Sequence, residues 1–161
     1  MLKKLSILFC LLILLSISSQ AAGTDGSSSS DSSYTKAYNL IKSAKKYEKK
    51  GKTEKAQKKY LKAQKLLLKS NKEKPLQADI LNYLGFTTRK LGDYKKGEEF
   101  YLLGLEVNPN HKGINEYLGE LYVITNRIQL AKERLEVLRA CGCKEFKELK
   151  EIIDGTKKSK Y

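Results

Sequence analysis

Apolar residues in the last part of this chain recur at intervals of three and four positions, with Lys and Glu between them. Phe146, Leu149, Ile152 and Ile153 show this spacing, which is the spacing of one face of an α-helix. Similar intervals run through the sequence from Ala37 onward. The pattern therefore predicts a succession of amphipathic helices.

The helical pattern itself repeats after 34 positions. The matching pairs are Leu84 and Leu118, Gly85 and Gly119, Gly97 and Ala131, and Tyr101 and Leu135. A fixed period of about 20 to 50 residues is typical of solenoids, in which neighbouring units cover each other's apolar faces. Small residues such as Gly85 and Gly119 would allow these helices to approach closely.

A period of about 34 residues is that of tetratricopeptide (TPR) repeats, and the sequence resembles that family's pattern in three units. The matching residues are Leu40, Ala44, Tyr47, Gly51, Ala56, Tyr60 and Ala63; then Leu81, Leu84, Gly85, Gly97, Tyr101, Gly104 and Pro109; then Leu118, Gly119, Tyr122, Ala131, Leu135 and Leu138. The resemblance implies an all-α TPR solenoid with a C-terminal capping helix. The units are expected at residues 37–77, 78–111 and 112–145, and the capping helix at 145–154, within a domain covering 36–154.

The first two units are offset by 41 positions rather than 34. The extra seven residues correspond to two helical turns of about 3.6 residues each. They include the run from Leu66 to Leu68, and Pro75 follows shortly afterwards. We therefore expect a longer second helix in the first unit, which Pro75 stops.

The first 21 residues have the features of a cleaved signal peptide. Lys3 and Lys4 precede an apolar run from Leu5 to Ile17, and Ser19 and Ala21 stand where signal peptidase accepts small residues. The run has 13 residues, whereas a bilayer-spanning helix needs about 20, so an uncleaved anchor is the less favoured alternative. We expect an exported protein, periplasmic if its source is a Gram-negative bacterium.

The segment that follows the predicted cleavage site is poor in apolar residues. From Gly23 to Ser33 it contains only Gly, Ser, Asp and Thr, which offer no apolar surface to offset the entropy lost on ordering. Residues 22–35 are therefore expected to form a disordered tether. Residues 155–161, which begin with Gly155 and are rich in lysine, are expected to form a basic tail.

The chain carries a formal net charge of +14, and most of that charge belongs to the first unit. Residues 36–74 contain 15 lysines and only three glutamates. Because lysine lacks the forked guanidinium that arginine uses for specific phosphate recognition, a nucleic-acid partner is not expected. A solvated face and attraction to an anionic membrane or cell-wall surface both remain open interpretations.

Catalytic chemistry has little support in this sequence. His111 is the only histidine, so a histidine-based metal site or triad lacks its further members. It stands in a turn between the second and third units, where a helix-start role is expected. We predict no enzyme activity, no cofactor, no metal and no small-molecule substrate.

Cys141 and Cys143 are the only cysteines outside the leader. An oxidising compartment favours their pairing, and their place between the third unit and the capping helix suits a structural disulfide. Free thiols, a metal role and a thiol-redox role remain alternatives. Two thiolates alone would leave a four-ligand zinc site incomplete.

The TPR resemblance also implies a function and a site. In that family the first helices of the units line a concave groove that binds a peptide or a helix. When the family's groove positions are transferred to this sequence, Phe86 is expected to be exposed near the middle of the groove. The groove residues carried onto this sequence are Lys45, Lys49, Asn82, Phe86, Arg89, Glu116 and Glu120. The expected function is a non-catalytic protein–protein interaction module, a scaffold or adaptor in the cell envelope, with an unidentified protein partner. The alternatives are association with an anionic surface and the thiol-redox role.

Overall fold

The computed structural model describes residues 26–159, and this part of the chain folds into α-helices joined by short turns. Each of the first three pairs is a helical hairpin, and the last helix follows a short 3-10 turn at Arg139–Cys141. The helices are α1 (Gly26–Glu48), α2 (Thr53–Glu73), α3 (Ala78–Lys90), α4 (Tyr94–Val107), α5 (Lys112–Ile124), α6 (Ile128–Leu138) and α7 (Lys144–Ile153). The predicted all-α TPR solenoid is confirmed, and the helix pairs follow the repeat read from the sequence.

The core of the stack is built from the small and apolar residues that carry the repeat. In the first pair, Ala37, Ile41 and Ala44 of α1 are buried against α2. Residues of α3 extend this cluster, and a second cluster forms around Tyr101 and Ile114 between α4 and α5. Each pair therefore buries its apolar face against the next one, as a solenoid requires.

Two glycines set how closely the helices approach. A Cβ atom on Gly85 of α3 would lie 2.5 Å from the ring of Tyr101 on α4, and one on Gly119 of α5 would lie 2.5 Å from Leu149 of α7. Neither contact leaves room for a side chain. Gly119 thus allows α7 to pack against α5 and close the open end of the stack.

The predicted long second helix is present, since α2 has 21 residues and ends at Glu73, shortly before Pro75. Leu76, next in the chain, has a φ of 56°, which is the left-handed conformation of a turn. The extra turns bury Leu67 and leave Leu68 exposed. His111 takes the predicted helix-start role, because its Nδ1 accepts a hydrogen bond from the backbone N–H of Ile114 at 3.1 Å.

The tether predicted for residues 22–35 is wrong from Gly26 onward, because α1 already begins there. Ser33 is buried, and the ring of Tyr34 packs against that of Tyr83 on α3, with 6.0 Å between centroids. Tyr38 contacts the same ring. These contacts pack the part of α1 from Ser33 onward against the core, and the helix extends back to Gly26.

The predicted signal peptide at residues 1–21 lies outside the described residues. Within residues 26–159, no helix is both long enough and apolar enough to cross a membrane.

Candidate functional site

The residues that the sequence assigned to a partner-binding groove lie on the first helices of the three pairs, α1, α3 and α5, except Lys49, which directly follows α1. Among these residues, Lys49 is exposed and Lys45 is half-buried. The other five are buried, namely Asn82, Phe86, Arg89, Glu116 and Glu120. The expectation of an exposed Phe86 is therefore corrected, and the five side chains are not presented on an open groove surface. The position of a residue in the repeat predicts the face of the helix on which it lies. In this structure, neighbouring helices cover that face.

Arg89 and Glu120 form an ion pair in the interior of the stack. The Arg89 Nη2 atom lies 3.3 Å from Glu120 Oε2, and both side chains are 0% exposed. Arg89 Nη1 also donates a hydrogen bond to the carbonyl oxygen of Tyr117 at 2.6 Å. A charge pair removed from water needs such additional hydrogen bonds to offset its desolvation. The pair therefore joins α3 to α5 and is not presented to a ligand.

Lys45 reaches from α1 across the inner face toward α5. Its Nζ atom donates a hydrogen bond to the hydroxyl of Tyr117 at 3.1 Å and lies 4.3 Å from the centre of the Phe86 ring. The rings of Phe86 and Tyr117 are themselves 5.1 Å apart. An ammonium group over an aromatic face is stabilised by the ring's negative potential, so this lysine is held in place with its charge near the surface.

A second polar group lies beside it at the end of α1. Lys90 Nζ is 2.6 Å from Glu48 Oε1, and the hydroxyl of Tyr60 donates a hydrogen bond to Glu48 Oε2 at 2.8 Å. Burial raises the pKa of Tyr60 above its ordinary value, and the hydrogen bond to Glu48 adds to this shift. Tyr60 therefore stays a neutral donor and fixes the orientation of Glu48.

The pKa of Tyr117 is raised as well, first by burial and then by the nearby charge of Glu116. Its hydroxyl thus remains protonated and accepts the hydrogen bond from Lys45. The two tyrosines anchor one charged side chain each, Glu48 and Lys45. The charged rim of the inner face is consequently preorganised by the core below it.

These side chains surround a cavity of about 600 Å³ between α1, α3 and the segment that follows α6. Its lining residues are Lys45, Glu48, Lys49, Phe86, Lys90, Lys144 and Ser159. Four lysines thus face one glutamate, with an aromatic ring among them. The size falls within the range of pockets that hold ligands, about 300 to 1,000 Å³.

Two of the lining residues escaped the sequence analysis for a structural reason. Lys144 begins α7 and Ser159 follows that helix, so both come after the last helical hairpin, α5 and α6. The repeat pattern describes only the residues within the units and gives no sign that this segment returns to the inner face. Glu48 and Lys90 are also outside the seven predicted groove residues, but they lie on α1 and α3, first helices of their pairs, which the family pattern assigns to the groove.

Cys141 and Cys143 are not among the residues that line this cavity; they lie at the junction between α6 and α7. Their Cα atoms are 5.0 Å apart, which is within the range that a disulfide spans, and the structure pairs their sulfur atoms. Gly142 between them has a φ of 54°. The pairing in solution stays a prediction.

Comparison with known proteins identifies a solved structure with a similar fold but does not assign the chain to a family. No protein-family model matches the chain. The Sol locus transcriptional repressor of Clostridium acetobutylicum is 41% identical over 54 residues, which are 34% of this chain and 17% of that protein. Because the chain matches so little of that protein's length, the similarity concerns a segment and not the repressor as a whole.

A solved structure resembles most of the chain. It is described as the first TPR of Spaghetti (RPAP3) bound to the HSP90 peptide SRMEEVD, and it matches with a TM-score of 0.53 and 21% identity. The match covers 76% of this chain and 94% of that one. This likeness shows the TPR fold that the repeat pattern predicted.

Proposed function

We propose that this chain is a non-catalytic protein-interaction module that binds an acidic, extended segment of a partner protein. The binding site is the lysine-lined cavity between α1, α3 and the start of α7. The observation that carries the proposal is the composition of its lining, four lysines and one glutamate around the ring of Phe86.

The geometry explains how such a ligand would be held. Lys49 is exposed. The side chain of Lys144 is 81% exposed and pairs with Glu148 at 3.2 Å, so a ligand carboxylate can reach both lysines from solvent. Lys45 is already held by Tyr117 and Phe86 and loses less side-chain entropy on binding. Complementary charge across such a site sets the orientation and the association rate.

The related fold supports a peptide as the ligand. The TPR domain of RPAP3 is bound to SRMEEVD, a peptide that contains two glutamates and one aspartate. At 21% identity this likeness shows the fold alone, so the ligand class for this chain rests on its own lysines. The predicted groove residues begin with lysines and end with Glu116 and Glu120. Because both glutamates are buried, the exposed charge of the site is mainly positive, which favours an acidic ligand over a mixed one.

The proposal is tested with peptides and matched charge reversals. The ligands are SRMEEVD and its neutralised analogue SRMQQVN, and the double variant is Lys49→Glu with Lys144→Glu. Lys132→Glu with Lys147→Glu is the control, because it changes net charge equally at exposed positions outside the cavity. Titration calorimetry should show binding of the acidic peptide that weakens at least about tenfold in the cavity variant and little in the control.

Two results would overturn this function. One is equal affinity for the acidic and neutralised peptides, which would remove the role of charge. The other is an equal loss of affinity in both double variants, which would mean that net charge and not this cavity attracts the peptide. We also propose an envelope location, on the sequence of residues 1–21 alone; fractionation of cells for the processed chain would test it.

A further inference from the structure

The solvent-facing side of α2 carries two leucines that the core does not use. Leu61 is 45% exposed and Leu68 is 48% exposed. They are seven positions apart, nearly two turns of about 3.6 residues, and so lie on the same side of the helix. Leu68 belongs to the two extra turns of α2. With 21 residues, this helix is shorter only than α1, which has 23. These leucines therefore form an apolar strip on the outside of the first pair.

Lysines border this strip on α2. Between Glu54 and Glu73 the helix carries seven lysines and no carboxylate. Lys58, Lys65 and Lys72 stand three positions before or four after the two leucines, which places them next to the strip on the helix surface. All three are exposed. Lys62 and Lys69 follow the leucines directly and widen the positive band.

We propose that this outer face of α2 docks the protein on an anionic lipid bilayer. Helices that lie in a membrane interface combine apolar residues on one side with lysines that contact anionic headgroups. Lysine stems are long enough to stay along the apolar boundary while the ammonium group reaches the headgroups. The two leucines would enter the interface, and the bordering lysines would bind the phosphates.

Two observations favour a bilayer over a nucleic acid. Residues 36–74 contain no arginine, the residue best suited to forked phosphate recognition. The strip is also apolar at its centre, where a nucleic-acid surface would meet phosphate or sugar. Polyanions would be attracted by the lysines alone, whereas the exposed leucines have a role only in a partly apolar partner.

The docking face and the peptide cavity can be occupied together. None of the residues that line the cavity belongs to α2, because the cavity is built from α1, α3 and the segment after α6. The inference is thus independent of the proposed peptide binding. A shallow cleft of about 460 Å³ does run beside Leu61 and Leu68 toward Phe100 on α4, so a helix of a partner protein is the competing occupant.

A tryptophan reporter tests the proposal directly, since the chain contains no tryptophan. Leu68→Trp places the reporter in the strip, and Leu102→Trp is the matched control, because Leu102 of α4 is 43% exposed. Both full-length variants are mixed with vesicles of phosphatidylglycerol and phosphatidylcholine, or of phosphatidylcholine alone. We expect a blue shift and protection from a soluble quencher only for Leu68→Trp, and only on the anionic vesicles.

A charge variant separates the face from the predicted leader, whose apolar run could itself bind vesicles of either kind. Replacing Lys58, Lys65 and Lys72 by Gln should lower partition onto anionic vesicles at least about tenfold. The control replaces Lys95, Lys132 and Lys147, which are exposed elsewhere, and should have little effect. Peptide affinity should stay unchanged in both triple variants.

Three outcomes would overturn the inference. An unshifted Leu68→Trp emission on anionic vesicles would show that the strip does not enter the interface. An equal loss of partition in both triple variants would show that net charge, and not this face of α2, causes the binding to vesicles. Binding of polyphosphate that excludes vesicles and does not respond to Leu61→Ser with Leu68→Ser would assign the face to a soluble polyanion instead.

Discussion

At the scale of single residues, the inner face of the stack depends on one buried charge pair. Arg89 and Glu120 have no exposed side-chain surface, and the Arg89 guanidinium also lies 5.8 Å from the centre of the Tyr101 ring. A pair of this kind contributes less to stability than its Coulomb attraction suggests, because both charges lose hydration. Replacement of only one of the two residues should therefore lower the free energy of unfolding more than replacement of both.

We predict that Arg89→Met lowers the free energy of unfolding by about 3 to 5 kcal/mol, because it leaves the Glu120 charge buried without the guanidinium. The double variant with Glu120→Leu should lose less than either single variant. Urea unfolding of the four proteins gives the coupling energy. The exposed pair Arg139 and Glu136, with side chains 69% and 63% exposed, is the control and should show a much smaller coupling, because solvent screens it. Equal couplings would contradict this account.

The same pair shows how far sequence reasoning reaches at this scale. Arg89 and Glu120 were correctly placed on the inner helices, since the repeat fixes which residues of each unit face inward. Whether they contact a ligand or each other depends on the distance between α3 and α5, which the repeat does not contain. Phe86 was misread for the same reason, because Lys45 and the ring of Tyr117 cover it.

At the scale of helices, the last element has two roles. Helix α7 packs on α5 through the space left by Gly119, and its first residue, Lys144, lines the cavity. Its amphipathic pattern predicted the capping role. No sequence pattern predicted that Lys144 lines the cavity, because its position depends on the direction in which α7 leaves the turn at Gly142. The contacts of Tyr34 and Tyr38 with Tyr83 of α3 were missed as well, because they depend on a partner in another helix.

We predict that Gly119→Val detaches α7 from the stack. A Cβ at this position already lies 2.5 Å from Leu149 Cδ2, and Leu149 is buried, so the larger side chain overpacks the contact at a cost of about 1 to 3 kcal/mol. Hydrogen exchange followed by mass spectrometry should show faster exchange in α7 and little change in α1 and α2. Lys132→Val on the exposed side of α6 is the control. Unchanged exchange in α7 would show that this close approach does not hold the cap.

At the scale of the whole molecule, tyrosines with raised pKa values lie in all three helix pairs. Burial raises the pKa of Tyr34, Tyr60, Tyr83, Tyr101 and Tyr117 above the ordinary value of 10.0. For Tyr34, where the charge of Asp79 adds to burial, the pKa reaches about 12. These residues lie on five helices, α1 to α5, so their protonation affects the stack as a unit.

The sign of the resulting pH dependence follows from linkage. A tyrosine whose pKa is raised on folding holds its proton more tightly in the folded state, so its contribution to stability is complete below pH 10. Above pH 10 the unfolded chain loses these protons first and is stabilised. For Tyr34 this loss of folded-state stability continues up to about pH 12, the pKa of the folded state.

We therefore predict that the urea midpoint falls steeply above pH 10, the ordinary tyrosine value, and that tyrosinate absorbance rises together with unfolding. Tyr34→Phe removes one of the linked groups and should make this fall shallower. Lysines also lose charge in this range, so Tyr94→Phe, at a tyrosine of α4 that is exposed, serves as the reference with the same lysines. If Tyr34→Phe and Tyr94→Phe showed the same pH dependence, the buried tyrosines would not be the groups that couple the stack to pH.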